Sequence, residues 1–299
     1  MPTSLERYAW LSIAAALATM GLKTLAWWLT GSLGLLSDAL ESLVNLAAAV
    51  LALTMLRVAA SPPDKHYPHG RSKAEYFAAG IEGALIMTAA LGIVWVAAPR
   101  LFEPQPLAMP LAGIALTAVA TGINLGVGLL LVRVGRQNHS ITLEADGRHL
   151  LTDVWTSGGI ILGVALVAVT GWLRLDPLIA LAVAAHIAWV GVGLMRRSVS
   201  GLLDPAISLP DQQEITRLFA EYSRRHGVSF HALRTRQAGA RRFISFHLLV
   251  PDAWTVAQAH QLSEEIESRI RSMVPNAAVF THLEPLSDPS SYDDQELDR

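Results

Sequence analysis

Six long apolar stretches, separated by short polar segments, fill the chain from residue 8 to residue 195. They cover approximately residues 8–29, 33–58, 74–98, 109–132, 141–169 and 177–195. A helix of about 20 mostly apolar residues crosses the roughly 30 Å hydrocarbon core of a bilayer. The pattern therefore predicts an all-α bundle of six transmembrane helices. The first helix is expected to be retained, because its apolar run is long and lacks a small-residue cleavage site.

After residue 195 the pattern changes to that of a water-soluble domain. Residues 210–225 and 256–273 have the apolar spacing of helices, and residues 230–236, 243–250 and 277–284 have the pattern of strands. The order αββαβ predicts two helices packed on a small antiparallel sheet. We expect a membrane domain over residues 1–198 and a soluble domain over residues 199–285. The acidic segment over residues 286–299 is predicted to be disordered.

Basic residues are distributed unequally between the two sides of the predicted bundle. Loops on one side contain only Arg100 and Arg174. The other side has Arg7, Arg57, Lys65, Arg71, Lys73, Arg133, Arg136, Arg196 and Arg197. Cytoplasmic loops carry the excess of Lys and Arg, so both termini are predicted to be cytoplasmic. The net charge of −2 gives no reason to expect a nucleic-acid partner, and the lack of cysteine excludes disulfides and thiolate metal sites.

Two of the apolar stretches contain a stripe of polar side chains that could bind a cation. The stripes are Asp38, Glu41 and Asn45 in the second stretch and Asp146, His149 and Asp153 in the fifth. At about 100° per residue, each i, i+3, i+7 triplet falls within an arc of roughly 60° on its helix. Ionisable residues are costly in a bilayer and by default indicate a functional site. The alternative is that these carboxylates lie in interfacial loops or cap helix ends.

The predicted topology brings the two stripes to a similar depth. The second span runs inward and the fifth runs outward, with Glu41 about eight residues from its outer end and His149 about eight from its inner end. At about 1.5 Å per residue, each stripe lies on the order of 12 Å inside its own surface, near the midplane. The two stripes are therefore predicted to share one cation.

Other polar groups indicate further candidate sites. The Pro-rich loop after span two contains Asp64, His66 and His69, which are either a second cation site or solvated loop residues. Half of the ten histidines lie in the soluble domain, where they either bind metal or are scattered over its surface: His226, His231, His247, His260 and His282. Histidine with carboxylate, such as Glu284, suits zinc, iron, cobalt or manganese. Lys23 and Glu82 are predicted to form a buried ion pair.

Several motifs together resemble those of the cation diffusion facilitator family, over nearly the whole chain. They are Gly31-Ser32 with Leu36-Ser37-Asp38-Ala39, residues 70–75, Glu144-Ala145-Asp146 with His149-Leu150-Leu151-Thr152-Asp153, Gly201-Leu202-Leu203-Asp204-Pro205, and Leu233-Arg234-Thr235-Arg236. The resemblance implies a homodimeric exporter that exchanges a cytoplasmic divalent metal for protons, with a ferredoxin-like cytoplasmic domain. It implies a transport site of Glu41, Asn45, His149 and Asp153, and a cytoplasmic metal site of His231, His247, His260, His282 and Glu284.

The chain departs from the family pattern at two of these sites. Well-known zinc exporters have His or Asp followed by Asp in span two, where this chain has Glu41 and Asn45. Three oxygen donors and one nitrogen are a harder ligand set, so manganese, iron, cobalt or nickel become candidates beside zinc. His66 and His69 are one residue closer together than in many relatives. The chain also lacks a histidine-rich loop between spans four and five, which fits a bacterial protein of the inner membrane.

The predicted function is proton-coupled efflux of a divalent metal, which serves as substrate and as a regulator, with no organic cofactor and no enzyme activity. Asp38 and Asp146 are candidates for orienting the ligands or relaying protons. One alternative is an intramembrane metalloenzyme, although the chain has no His-Glu-x-x-His run and four ligands would fill a tetrahedral shell. Another is a metal sensor that the membrane part only anchors. The expected partners are the lipid bilayer and a second copy of the chain.

Overall fold

The computed structural model describes residues 6–137 and 141–293, and within them it has six helices long and apolar enough to cross a membrane. These helices are α1 (Glu6–Thr30), α2 (Leu33–Ala59), α3 (Ala74–Phe102), α4 (Pro110–Gln137), α5 (Ile141–Thr170) and α6 (Leu175–Leu202). The prediction of a six-helix bundle is confirmed. Several helices, α4 and α6 above all, continue beyond the apolar stretch into polar residues.

Glycines allow two helix pairs of the membrane part to approach closely. A methyl group added at Gly147 of α5 would lie 2.7 Å from the backbone oxygen of Gly128 on α4. Gly83 of α3 and Gly191 of α6 make a similar crossing, where a methyl group at Gly83 would lie 3.0 Å from the Gly191 oxygen. Small residues at such crossings let helix backbones pack in the membrane, where lipid removes the hydrophobic driving force.

A carboxylate of α6 caps the start of α2. Gly31, with φ +67°, ends α1 and allows the sharp turn into α2. Asp176 then accepts hydrogen bonds from the Ser32 hydroxyl at 2.5 Å, from the Leu33 N–H at 2.8 Å and from the Gly34 N–H at 3.2 Å. The first N–H groups of a helix have no partner within it, so this buried aspartate satisfies them from another helix.

The chain divides into two compact units. One consists of Met1–Leu53 and Ala79–Met195, and the other of Thr54–Ala78 and Arg196–Arg299. The second unit contains α7 (Leu209–His226), β1 (Ser229–Ala238), β2 (Arg241–Val250), α8 (Val256–Met273) and β3 (Ala277–Pro285). The predicted order αββαβ is confirmed.

The sheet of the second unit is mixed, and the prediction that it is antiparallel is wrong for β3. Its strand order is β1-β2-β3, with β2 antiparallel to β1 and parallel to β3. β1 and β2 are joined by a tight hairpin at Gly239, which has φ +58°. β2 and β3 are joined through α8, and a helical crossover returns the chain to the end where β2 began, so β3 runs parallel to it. The core lies between α7, α8 and the side chains of Ile244, Phe246 and Leu248.

Residues 286–293 are the part of the predicted disordered tail that the structure describes, and they make local hydrogen bonds. A short 3-10 helix covers Pro289–Tyr292, and the Asp288 side chain caps it by accepting from the Ser290 N–H. The buried Ser291 hydroxyl donates to the Pro285 carbonyl at 2.9 Å. The rest of the predicted tail, residues 294–299, lies outside the described residues.

Candidate cation site

The four residues of the predicted transport site line one cavity of about 280 Å³ among the transmembrane helices. Glu41 and Asn45 reach it from α2, and His149 and Asp153 reach it from α5. Each pair is four residues apart, so its two side chains lie on the same face of their helix. The carboxylates of Glu41 and Asp153 are close enough for their charges to interact. The cavity therefore combines two carboxylates, an amide and an imidazole, which are ligands for a divalent cation.

Two further ionisable side chains line the same cavity, and neither is among the predicted site residues. They are Glu82 on α3 and His186 on α6. Glu82 is near enough to His149 for the two groups to interact electrostatically. The signal that could have found both is their position as ionisable residues inside apolar helices, which by itself indicates a functional site.

The predicted ion pair between Lys23 and Glu82 is wrong. The Lys23 Nζ atom lies 2.8 Å from Oδ1 of Asp38, and both residues are buried. The same Asp38 oxygen accepts a hydrogen bond from the Ser157 hydroxyl at 2.9 Å. Asp38 and Glu82 are both carboxylates inside apolar helices, and the sequence does not show which of them Lys23 contacts. The packing of α1 against α2 selects Asp38. Asp38 is therefore held in a polar network one helical turn from Glu41.

Asp146 lines a second cavity, of about 400 Å³, that adjoins the first. The two cavities share Asn45, His149 and Asp153, and the second also reaches Asn124 of α4. Three of the four candidate ligands can therefore be approached from two directions. The second cavity leaves room for water beside these side chains, and Asp146 lines this approach.

The loop residues Asp64, His66 and His69 are not brought together as a cation site. Asp64 Oδ1 accepts hydrogen bonds from the backbone N–H groups of His66 at 2.8 Å and Tyr67 at 2.9 Å, and Oδ2 pairs with Arg71 at 2.5 Å. The Tyr67 N–H and the Arg71 guanidinium hold the pKa of the Asp64 carboxyl below its usual value. His69 instead packs edge-on against the Phe243 ring, with centroids 5.6 Å apart. The carboxylate is occupied by partners within the loop.

The histidines of the sheet converge on one carboxylate. Strand register pairs His231 with His247 and His247 with His282. Glu284 Oε2 lies 2.8 Å from His231 Nε2, and Glu284 Oε1 lies 3.1 Å from His247 Nδ1 and 3.6 Å from His282 Nε2. In the part of the chain that the structure describes, His231, His247 and Glu284 are the only group of three whose ligand atoms come within 4.8 Å of one another. This geometry suits a metal ion such as zinc.

Two other histidines of the same unit lie outside this cluster. His260 lies on α8 and is exposed, outside the group that converges on Glu284. His226 stacks on Tyr222, with ring centroids 5.6 Å apart, and supports the end of α7. Glu41, His149 and Asp153 line their cavity without forming such a group, because their ligand atoms do not all lie within 4.8 Å of one another.

Comparison with known proteins gives the same family for both parts of the chain. Residues 9–203 match the family model "Cation efflux transmembrane domain", and residues 208–286 match "Cation efflux protein, cytoplasmic domain". An uncharacterized transporter of Synechocystis sp., sll1263, is 53% identical over 285 residues, which are 95% of this chain and 92% of that protein. The cation-efflux pump FieF of Pectobacterium atrosepticum is 34% identical, with 92% of this chain and 90% of FieF covered. A solved structure of CzrB is 32% identical over 26% of this chain and 96% of its own, with a TM-score of 0.25.

Proposed function

This chain belongs to the cation diffusion facilitator family, whose members are cation efflux transporters, and on that premise we propose that it exports a divalent transition metal from the cytoplasm in exchange for protons. The observation that carries the proposal is the cavity to which α2 and α5 contribute Glu41, Asn45, His149 and Asp153. The protein is a multi-pass membrane protein. We assign it to the inner membrane with both termini in the cytoplasm, on the distribution of its basic loops.

The charge of the four ligands matches a dication. Glu41 and Asp153 as carboxylates, with neutral Asn45 and His149, sum to −2 and balance one divalent ion. Burying a compensated charge set in a membrane is far less costly than burying a free cation. Three oxygen donors and one nitrogen favour harder ions than a site with two histidines does. Zinc is the first candidate, and manganese, iron, cobalt and nickel are the others.

Proton coupling follows from competition for the same lone pairs. A metal ion binds ionised carboxylates and neutral imidazole, so protons that reach Glu41, His149 or Asp153 weaken the site and release the ion. When the site faces the cytoplasm, metal binding displaces those protons. Asp146, which lines the adjoining cavity, is the candidate for relaying protons.

The cytoplasmic cluster is proposed as a regulatory metal site in a homodimer. His231, His247, His282 and Glu284 supply nitrogen and oxygen donors in one row across the sheet. The family model for residues 208–286 belongs to cation efflux cytoplasmic domains and supports dimer formation through this part. A metal bound there would add to the stability of the domain by mass action.

Metal-dependent proton flux in reconstituted vesicles tests the proposal. Purified protein is reconstituted with a pH-sensitive dye inside the vesicles, and flux is compared for zinc, manganese, iron, cobalt and nickel. The exchanger is expected to move protons against metal, and Asp153→Ala is expected to abolish both fluxes while the protein remains folded and inserted. Gly158→Ala, on the same helix with open space around it, is the matched control. A metal sensor or a metalloenzyme would give no coupled flux, and full flux by Asp153→Ala would refute the site.

A further inference from the structure

The buried pair Lys23–Asp38 has no place in the metal site itself. Lys23 of α1 is 2% exposed and Asp38 of α2 is 1% exposed, with Nζ and Oδ1 2.8 Å apart. Lys23 also donates to the Ser42 hydroxyl at 3.1 Å, and Ser157 of α5 donates to the same Asp38 oxygen at 2.9 Å. The pair therefore connects the three helices α1, α2 and α5. The pair places a lysine and an aspartate together among transmembrane helices, where ionisable side chains are costly.

The position of the pair couples it electrostatically to the candidate ligands. Asp38 precedes Glu41 by one turn of α2, about 5 Å along the helix. Ser157 follows Asp153 by one turn of α5. The charges of Lys23 and Asp38 both act on Glu41 and on Asp153, with opposite signs. Mobile ions do not penetrate this buried region, so the interactions are screened much less than those at a surface.

The hydrogen bonding of Asp38 argues against a role limited to packing. Lys23 and Ser157 both bind Oδ1, whereas Oδ2 is buried and has no hydrogen-bond partner among the described residues. A buried carboxylate that only joins helices normally accepts hydrogen bonds at both oxygens, because a buried oxygen without a hydrogen bond costs free energy. The buried Oδ2 without a partner therefore indicates that Asp38 does more than join the helices.

We propose that Lys23 and Asp38 form a charge-balancing pair that sets how tightly the transmembrane site holds a divalent cation. This inference rests on the proposed function. Lys23 alone would repel a dication and Asp38 alone would attract it, and together they add almost no net charge beside the ligands. A transporter needs binding that is strong enough to load the ion and weak enough to release it. The pair leaves the combined charge of the four ligands at −2, so that the ion is neither excluded nor trapped.

The test uses opposite changes of charge at the two positions. Asp38→Asn leaves Lys23 uncompensated and is expected to raise the KM for Zn²⁺ and Mn²⁺ on the order of tenfold or more. Lys23→Met leaves Asp38 uncompensated and is expected to lower KM while turnover falls by a similar factor, since the ion leaves slowly. The double variant Lys23→Met, Asp38→Asn removes both charges and is expected to return KM to within about threefold of the wild type. Initial rates in reconstituted vesicles give KM and turnover.

Two outcomes would overturn the proposal. One is a shift of KM in the same direction for both single variants. The other is a double variant whose KM and turnover are as impaired as those of the worse single variant. Either result would assign the pair to helix packing. The double variant also controls for misfolding of the single variants, because it carries no unpaired buried charge. Equilibrium binding of Mn²⁺, taken as the difference from Asp153→Ala, is measured in parallel by electron paramagnetic resonance. Absence of flux in the wild type with the expected binding pattern would refute the proposed function alone.

Discussion

Among the glycines of the described membrane helices, Gly147 is the one at which an added methyl group would lie nearest to the backbone of another helix. Replacing it with alanine is therefore expected to lower stability, whereas Gly-to-Ala changes inside helices usually raise it. Gly147 of α5 faces α4, and a methyl group there would lie 2.7 Å from both the Gly128 oxygen and the Val132 nitrogen. Both are backbone atoms, so no side-chain rotation relieves the clash. Ordinary contact begins at 3.4 Å, and α5 must therefore move away from α4 by about 0.7 Å.

The energy of Gly147→Ala is the balance of two effects. Overpacking of a close contact costs about 1–3 kcal/mol, and replacing glycine by alanine inside a helix gains about 1 kcal/mol. We expect the free energy of unfolding to fall by about 1 kcal/mol, with the clash deciding the sign. Gly158 lies on the same helix with no atom within 4 Å of an added methyl group, so Gly158→Ala retains only the gain. The two substitutions should therefore change stability in opposite directions.

The same displacement should affect transport more than stability. Gly147 precedes His149 by two residues, and metal–ligand distances tolerate only about 0.2 Å of error. A movement of α5 by about 0.7 Å is therefore expected to lower turnover by more than tenfold. Thermal unfolding in detergent and vesicle flux would be measured for both variants. If Gly147→Ala is as stable and as active as Gly158→Ala, the helices do not pack through this glycine and the reasoning is refuted.

Three further predictions concern single side chains. Asn45→Asp should shift selectivity toward zinc, because the span-two pair then resembles that of zinc exporters; flux across the five metals measures it. Asp176→Ala should lower the unfolding free energy by about 2–3 kcal/mol, since three hydrogen bonds to a charged cap are lost, and Asp176→Asn should lower it by less. Partial burial acts to raise the pKa of Asp204, but hydrogen bonds from Lys73 and Arg236 outweigh it and lower the pKa. Stability from Asp204 is therefore present above its unfolded-state pKa and lost as pH falls through the lower folded-state pKa, and Asp204→Asn should flatten the acid-side fall in Tm.

Each of these predictions has a result that contradicts it. An unchanged metal profile in Asn45→Asp would show that this position does not select the ion. Equal stability of Asp176→Ala and the wild type would mean that water satisfies the start of α2 equally well. Identical acid-side slopes for Asp204→Asn and the wild type would show that Lys73 and Arg236 contribute nothing measurable there. Because Asp204 is over one-third exposed, we expect the slope difference to be small.

The sequence alone determined the elements and the candidate ligands that lie on one face of a helix. Six apolar runs predicted six helices, and the spacing of Glu41 with Asn45 and of His149 with Asp153 predicted two stripes that now line one cavity. The αββαβ order was also predicted correctly. These features depend on hydrophobicity and on residues three to seven positions apart, whose relation is set by the geometry of a single helix or strand.

Only the tertiary structure decided which distant groups meet. Lys23 pairs with Asp38 and not with Glu82, β3 runs parallel to β2, and Glu284 collects histidines from three strands. Each of these contacts depends on how helices cross and how strands are ordered, and several polar partners of similar chemistry were available within each apolar helix. Local periodicity fixes the face on which a charge lies, whereas packing fixes the charge that it faces across the interface.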